Sequence, residues 1–123
     1  MGLDQYAYAY PKELVGEMQT DLQVEAGNLL HQWRKHPDLD DWMEAQYWSK
    51  GGDREIFNCA AVRLDSEDLD ELEQTVKDNA LPKSPGVHYG SARPEAKADD
   101  LAFIAKARAA IAQGLVVFYH CWW

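Results

Sequence analysis

Basic residues are scarce in this chain: 12 Lys and Arg stand against 21 Asp and Glu, for a formal net charge of -9. A chain so acidic is expected to be repelled by nucleic acid backbones and by anionic membranes, which leaves a basic partner, or none. No apolar stretch approaches membrane-spanning length, and residues 1–20 lack the basic start and apolar run of a signal peptide. The expected location is therefore the cytoplasm, with no membrane partner. Cysteine is limited to Cys59 and Cys121. Both fall in apolar strand patterns and read as buried free thiols of a reducing compartment; a bridge between them would need neighbouring strands. The four histidines, His31, His36, His88 and His120, show no ligand spacing, and Cys-x-x-Cys and His-Glu-x-x-His are absent. His120 and Cys121 are adjacent on a strand and face opposite ways. No metal and no cofactor are expected. Cys59 lacks a nucleophile-elbow sequence, and its neighbour Asn58 points to the other face, so it reads as structural rather than nucleophilic. The many carboxylates sit where they cap and solvate helices rather than where they would form a catalytic pair. No internal repeat or low-complexity tract is visible.

What is present is aromatic and strand-like at both ends. Leu3-Asp-Gln-Tyr-Ala-Tyr-Ala-Tyr10 alternates, and Leu115-Val-Val-Phe-Tyr-His-Cys-Trp-Trp123 is β-branched and aromatic. Both are expected as strands of one sheet, with the last tryptophans packed. At 123 residues the chain is read as one domain, residues 1–123, able to bury about two-thirds of its unfolded surface. Lys12 to Thr20 reads as a loop or a short helical turn. From Leu22 the positions Leu22, Ala26, Leu29, Leu30 and Trp33 share a helical face, which predicts a helix ending near Lys35 before Pro37. Asp38 is expected to cap a second helix, with Leu39, Trp42, Met43 and Gln46 as its inner stripe. Residues 49–53 read as a loop and Ile56 to Leu64 as a strand. Asp65 is the expected N-cap of the next helix, with Asp68 completing a capping box and Leu64 and Leu69 forming a staple. Leu69, Leu72 and Val76 form its buried stripe, and Asn79 suits a left-handed C-terminal position. Pro85 to Gly90 is a brief strand or a shaped loop. Pro94 opens a last helix, with Leu101, Ile104, Ala105, Ile111 and Ala112 inward and Gly114 closing it. The expected fold is α+β: a three- to four-stranded mixed or antiparallel sheet that contains both termini, with helices packed on one face.

Several short motifs, in order along nearly the whole chain, resemble a family of small proteins of tailed bacteriophages and some bacteria. They are Met1-Gly-Leu-Asp4 with Tyr6, Trp33-Arg-Lys35, Trp42-Met43, Asn58-Cys59, Gly86-Val-His-Tyr-Gly-Ser91 and the aromatic C-terminal strand. The chain departs from the family in carrying Asp40 where a histidine is usual. Automated labels attach phosphoglycerate kinase to some members; this chain has no Gly-rich phosphate loop and is far too short for a two-domain kinase. The resemblance implies a phage or prophage accessory protein, working inside an infected host cell.

Two sets of residues are candidate sites. Asp4, Tyr6, Arg34, Lys35, Asn58, Tyr89 and Ser91 are polar groups that either cap strands and helices or converge on a small pocket for an anionic ligand. In such a pocket the planar fork of Arg34 would hold the anion. Between Asp65 and Asn79, seven acids face Lys77 alone. This is a solvated helix face or a mimic of a polyanion, and Asp70, Glu71 and Glu73 would then meet a basic partner. Of the five tryptophans, Trp33 and Trp42 fall on inner stripes, and Trp48 before the Gly-Gly loop is a candidate partner contact. The expected function is a small acidic, non-enzymatic module that binds a host or phage protein. The alternative is a small-molecule binder or small enzyme built around Asp4, Arg34 and Asn58.

Overall fold

The structure is a computed structural model that describes residues 3–22, 27–82 and 94–123. Along the chain run β1 (Asp4–Pro11), α1 (Lys12–Val15), β2 (Asn28–Arg34), α2 (Pro37–Ser49), β3 (Ala61–Leu64), α3 (Ser66–Lys77), α4 (Pro94–Ala112) and β4 (Leu115–Trp122). The four strands form one antiparallel sheet in the order β2-β1-β4-β3. β1 and β4 are its central pair, in register from Asp4↔Trp122 to Pro11↔Leu115. The first and last strands thus share one sheet, as expected, and lie side by side in it. The outer edge of β3 is closed by residues 19–21, through Asp21 N–H to Ala61 O at 2.9 Å and Arg63 N–H to Gln19 O at 2.8 Å.

Strand alternation sorts the side chains onto two faces. The inner face carries Gln5, Ala7 and Ala9 of β1, His31 and Trp33 of β2, Val62 and Leu64 of β3, and Val117, Tyr119 and Cys121 of β4, all buried. Helices α2, α3 and α4 cover it with Leu39, Trp42, Met43 and Tyr47, with Leu69, Leu72 and Val76, and with Phe103, Ile104, Ala107 and Ala110. The outer face holds a smaller cluster of Tyr10, Ala61, Val116 and Phe118 under Val15 and Leu22. Gly27 lies so close to this cluster that a Cβ there would meet the Tyr10 ring at 2.6 Å.

Helix α3 follows the sequence pattern. Asp65 accepts from the Asp68 N–H, and Asp68 accepts in turn from the Asp65 N–H. Leu64 and Leu69 are buried at the staple positions, and Asn79 takes φ 54°. Gly114, at φ 84°, turns the chain from α4 into β4.

Five local expectations are corrected. The stretch expected as a helix up to Lys35 is the strand β2 from Asn28, paired antiparallel with β1. Positions 29, 30 and 33 satisfy a helical stripe, but His31 and Trp33 satisfy strand alternation equally well. The free edge of β1 needs a partner, so tertiary pairing decides. Pro37 does not merely interrupt; it opens α2, where its missing N–H costs nothing. His36 rather than Asp38 is therefore the N-cap, Asp38 lies buried in the first turn, and the helix continues through Ser49.

The strand expected over 56–64 is paired only from Ala61. Residues 55–59 bend, Cys59 sits at φ 54°, and its thiol is exposed rather than buried, while Cys121 is buried as expected. On α4 the inward positions are Asp100, Phe103, Ile104, Ala107 and Ala110; Ala105 and Ala112 are exposed, and Leu101 and Ile111 are half-buried. Finally, Trp122 and Trp123 are not packed: they are 62% and 43% exposed. The strand is held instead by the buried Val117, Phe118, Tyr119 and Cys121.

Candidate functional site

One end of the sheet gathers large exposed side chains. At the level of Asp4, the outer face runs Arg34, Asp4, Trp122 across β2, β1 and β4; at the level of Tyr6 it runs Gln32, Tyr6, His120. Beyond β4, Asn58 replaces a strand partner with its own amide. Its Nδ2 donates to Trp123 O at 2.8 Å, and its Oδ1 accepts from the Trp123 N–H at 2.9 Å. The Trp123 indole N–H donates to Phe57 O at 2.8 Å, and the residue is 43% exposed. Ile56, two residues before Asn58, is 58% exposed. Trp122 stands on the outer face beside Asp4, while Trp123, like Cys121, reaches Phe57 O; these two tryptophans and Ile56 are large exposed apolar side chains at this end of the sheet.

Of the polar set read from the sequence, Asp4 and Arg34 are brought together, with Arg34 Nε 3.6 Å from Asp4 Oδ1 and the Arg34 side chain 75% exposed. Tyr6 shares their face, half-buried, with its ring 6.2 Å from that of Tyr8. Lys35 is exposed at φ 58°, and its N–H donates to Leu3 O. Asn58 lies at the same end of the sheet, but its side chain is engaged by the Trp123 main chain. Tyr89 and Ser91, with the whole Gly86–Ser91 motif and His88, lie outside the described residues.

The acidic set on α3 is partly used within the fold. Arg108 of α4 donates to Asp70 at 2.7 Å and to Glu73 at 2.8 and 3.2 Å. The hydrogen-bonded guanidinium holds the Glu73 carboxyl below its usual range. Glu71 is exposed. Trp48 is 39% exposed, donates to Glu44 and packs edge-on against Tyr47.

Beneath the inner face lies a polar network that no sequence motif announces. Fully buried Gln5 donates to Tyr119 Oη at 2.9 Å and His36 O at 3.1 Å, and accepts from the His36 N–H at 2.9 Å. Tyr119 donates to Asp40 Oδ1 at 2.5 Å. His36 Nε2 meets Asp100 Oδ2 at 2.9 Å, and Trp33 Nε1 donates to Asp100 Oδ1 at 3.0 Å. Burial raises Asp40 to about 6, while the bond from Tyr119 only partly offsets that cost. Burial also pushes the Tyr119 hydroxyl well up, so it keeps its proton. Every member is satisfied and sealed, which is the signature of a group of bonds that fixes one packing of α2 and α4 on the sheet. The outer face has a smaller counterpart. Burial lowers His120 to about 4 and raises Tyr10 to about 12, so a neutral imidazole accepts from the Tyr10 hydroxyl at 2.8 Å.

Sequence reasoning missed Gln5, His36, Asp40 and Asp100 as one group. The available signal was Gln5, a polar residue at an inward strand position between Ala7 and the chain start. Among the described residues, no group of three or more His, Cys, Asp or Glu is placed to hold a metal ion, and no helix is long and apolar enough to cross a membrane. No family model, curated protein or solved structure matches the chain.

Proposed function

We propose that the chain is a small non-enzymatic accessory protein of phage type that binds a host or phage protein inside the infected cell. The observation that carries this reading is the exposure of Trp122, Trp123 and Ile56 together at one end of the sheet. Large apolar side chains left exposed near one another are candidates for contact, and tryptophan dominates binding energy when a partner desolvates it. Strong overall acidity favours a partner with basic surroundings and speeds its encounter. The acids of α3 are the weaker candidates for direct contact, because Asp70 and Glu73 already hold Arg108.

The alternative, an anionic-ligand site around Asp4, Arg34 and Asn58, is the weaker reading. Asp4 borders Arg34 with like charge to any anion, and Asn58 is engaged by Trp123. Quantitative affinity capture from host lysate, comparing the native chain with Trp122→Ser and Trp123→Ser, tests the proposal. A protein retained by the native chain and lost from both folded variants supports it. Equal retention by all three places the contact elsewhere.

A further inference from the structure

We propose that the N-terminus of α2 is a latch on the inner face of the sheet, closed while the Asp40 carboxyl keeps its proton and loosened when that proton is lost. The proposal is independent of the partner-binding reading. Gln5 of β1 grips both main-chain groups of His36, the residue that caps α2. Its Nε2 donates to His36 O at 3.1 Å, and its Oε1 accepts from the His36 N–H at 2.9 Å. His36 O also accepts from the Asp40 N–H at 3.2 Å, so the first helical bond of α2 ends on the atom that Gln5 holds. The same Gln5 Nε2 donates to Tyr119 Oη at 2.9 Å, and Tyr119 donates to Asp40 Oδ1 at 2.5 Å. Cap, sheet and carboxyl thus close one circuit of hydrogen bonds through Gln5, His36, Asp40 and Tyr119.

Among the described residues, the groups that face the buried Asp40 carboxyl are neutral or acidic. From β4 come the Tyr119 hydroxyl and the Cys121 thiol, which burial keeps protonated. From its own helix come Asp41 and Glu44, which disfavour a further negative charge. The imidazole of His36 turns to Asp100 of α4, which Trp33 also engages. β3 sets Val62 and Leu64 on this face and Arg63 on the other, where its guanidinium donates to Gly16 O.

Undocking of the first turn lets water reach the carboxylate, and docking removes that water. Burial accordingly raises Asp40 from 3.8 to about 6 in the closed form. Closure is strongest below pH 3.8 and weakens as pH rises through about 6. His120, lowered to about 4 on the outer face, lies outside the circuit, so local opening reads Asp40 without that opposing titration.

Native-state amide hydrogen exchange tests the latch. The His36 and Asp40 N–H groups report it, since each has its partner within the circuit. The Leu69 N–H, bonded to Asp65 O beside α3, is the reference. After correction for intrinsic exchange, protection of the two amides should fall roughly 20–30-fold relative to Leu69 between about pH 4.5 and 7.5, the ratio set by a carboxyl at 3.8 when open and about 6 when closed. Asp40→Asn keeps an acceptor for Tyr119 without a titrating proton and should abolish the fall. His36→Gln removes the other titratable side chain at the cap and should keep the fall at the Asp40 amide. If Asp40→Asn does not fold, the native chain decides by NMR of the Asp40 carboxyl carbon, whose shift should titrate together with the exchange. A flat ratio in the native chain, the result if the positive end of the helix holds the carboxylate throughout, would overturn the proposal. So would a fall that survives Asp40→Asn or vanishes in folded His36→Gln, or a carboxyl carbon that does not titrate in this range.

Discussion

The two faces of the sheet solve the same problem at different scales. The inner face lies under three helices and carries both the main apolar cluster and the Gln5–His36–Asp40–Asp100–Tyr119 network. Among the described residues, the outer face has the four-residue α1 and the residues near Leu22 over one end, and carries the exposed Trp122 at the other. Each face holds a group whose charged form burial disfavours: Asp40 raised to about 6 inside, His120 lowered to about 4 outside. The difference teaches where the fold is held and where side chains are free for something else. Burial of large side chains concentrates on the inner face, and the most exposed tryptophan, Trp122, stands on the outer one.

The largest expected contrast is in stability. Phe103→Ala removes a fully buried ring from the inner face and should cost about 3–5 kcal/mol, a large part of a domain's usual total of roughly 5–15 kcal/mol. Trp122→Ser, at a side chain 62% exposed, should stay within about 0.5–1 kcal/mol. Urea unfolding of the two variants measures both, and comparable losses would erase the distinction between the faces. Deleting Phe118 to Trp123 takes fully buried Phe118 and Tyr119 with it and should abolish cooperative melting.

Next comes a pH dependence of opposite sign on the two faces. Asp40 is raised from 3.8 to about 6 on folding, so its stabilising contribution is complete below pH 3.8 and is lost as pH rises through about 6. His120 is lowered from 6.5 to about 4, so its contribution is complete above pH 6.5 and is lost as pH falls through about 4. Each is on the order of 3 kcal/mol, and between about pH 4 and 6 they oppose one another. The native chain should therefore show a nearly flat contribution from this pair. Asp40→Asn should make stability rise with pH across that window, and His120→Gln should make it fall. Parallel slopes in the two variants would show that the faces do not titrate in this way. The smallest effect is local: Asp65→Ala removes the α3 capping box and should cost about 1 kcal/mol by the same unfolding assay.

Much of the architecture was legible because local chemistry and tertiary pairing agreed. The alternating Tyr6, Tyr8 and Tyr10, the β-branched run after Gly114 and the Asp65-x-x-Asp68 cap each point to the element that forms. Legibility failed where two periods fitted the same residues. Leu29, Leu30 and Trp33 suit a helix while His31 and Trp33 suit a strand, and only the need of β1 for a second partner chooses. It failed again at Ile56 to Cys59, where the Asn58 side chain takes over the pairing of Trp123 and lets the chain bend. At the candidate site, Asp4 and Arg34 were placed together by strand register, which follows from the pairing of β1 and β2 and not from either segment alone. The inner network was invisible because its members lie up to 114 residues apart and share no motif.

Site-specific photo-crosslinking tests the division of labour between the two ends of the outer face most directly. A benzophenone side chain is introduced at position 122, at the open end, and separately at position 14, on α1 at the covered end, where Leu14 is also 50% exposed. Both chains should fold alike, since neither position is buried. Irradiation in host cells should give a discrete heavier adduct from position 122 and none from position 14. Adducts from position 14 alone, or equal yields from both, would contradict the account.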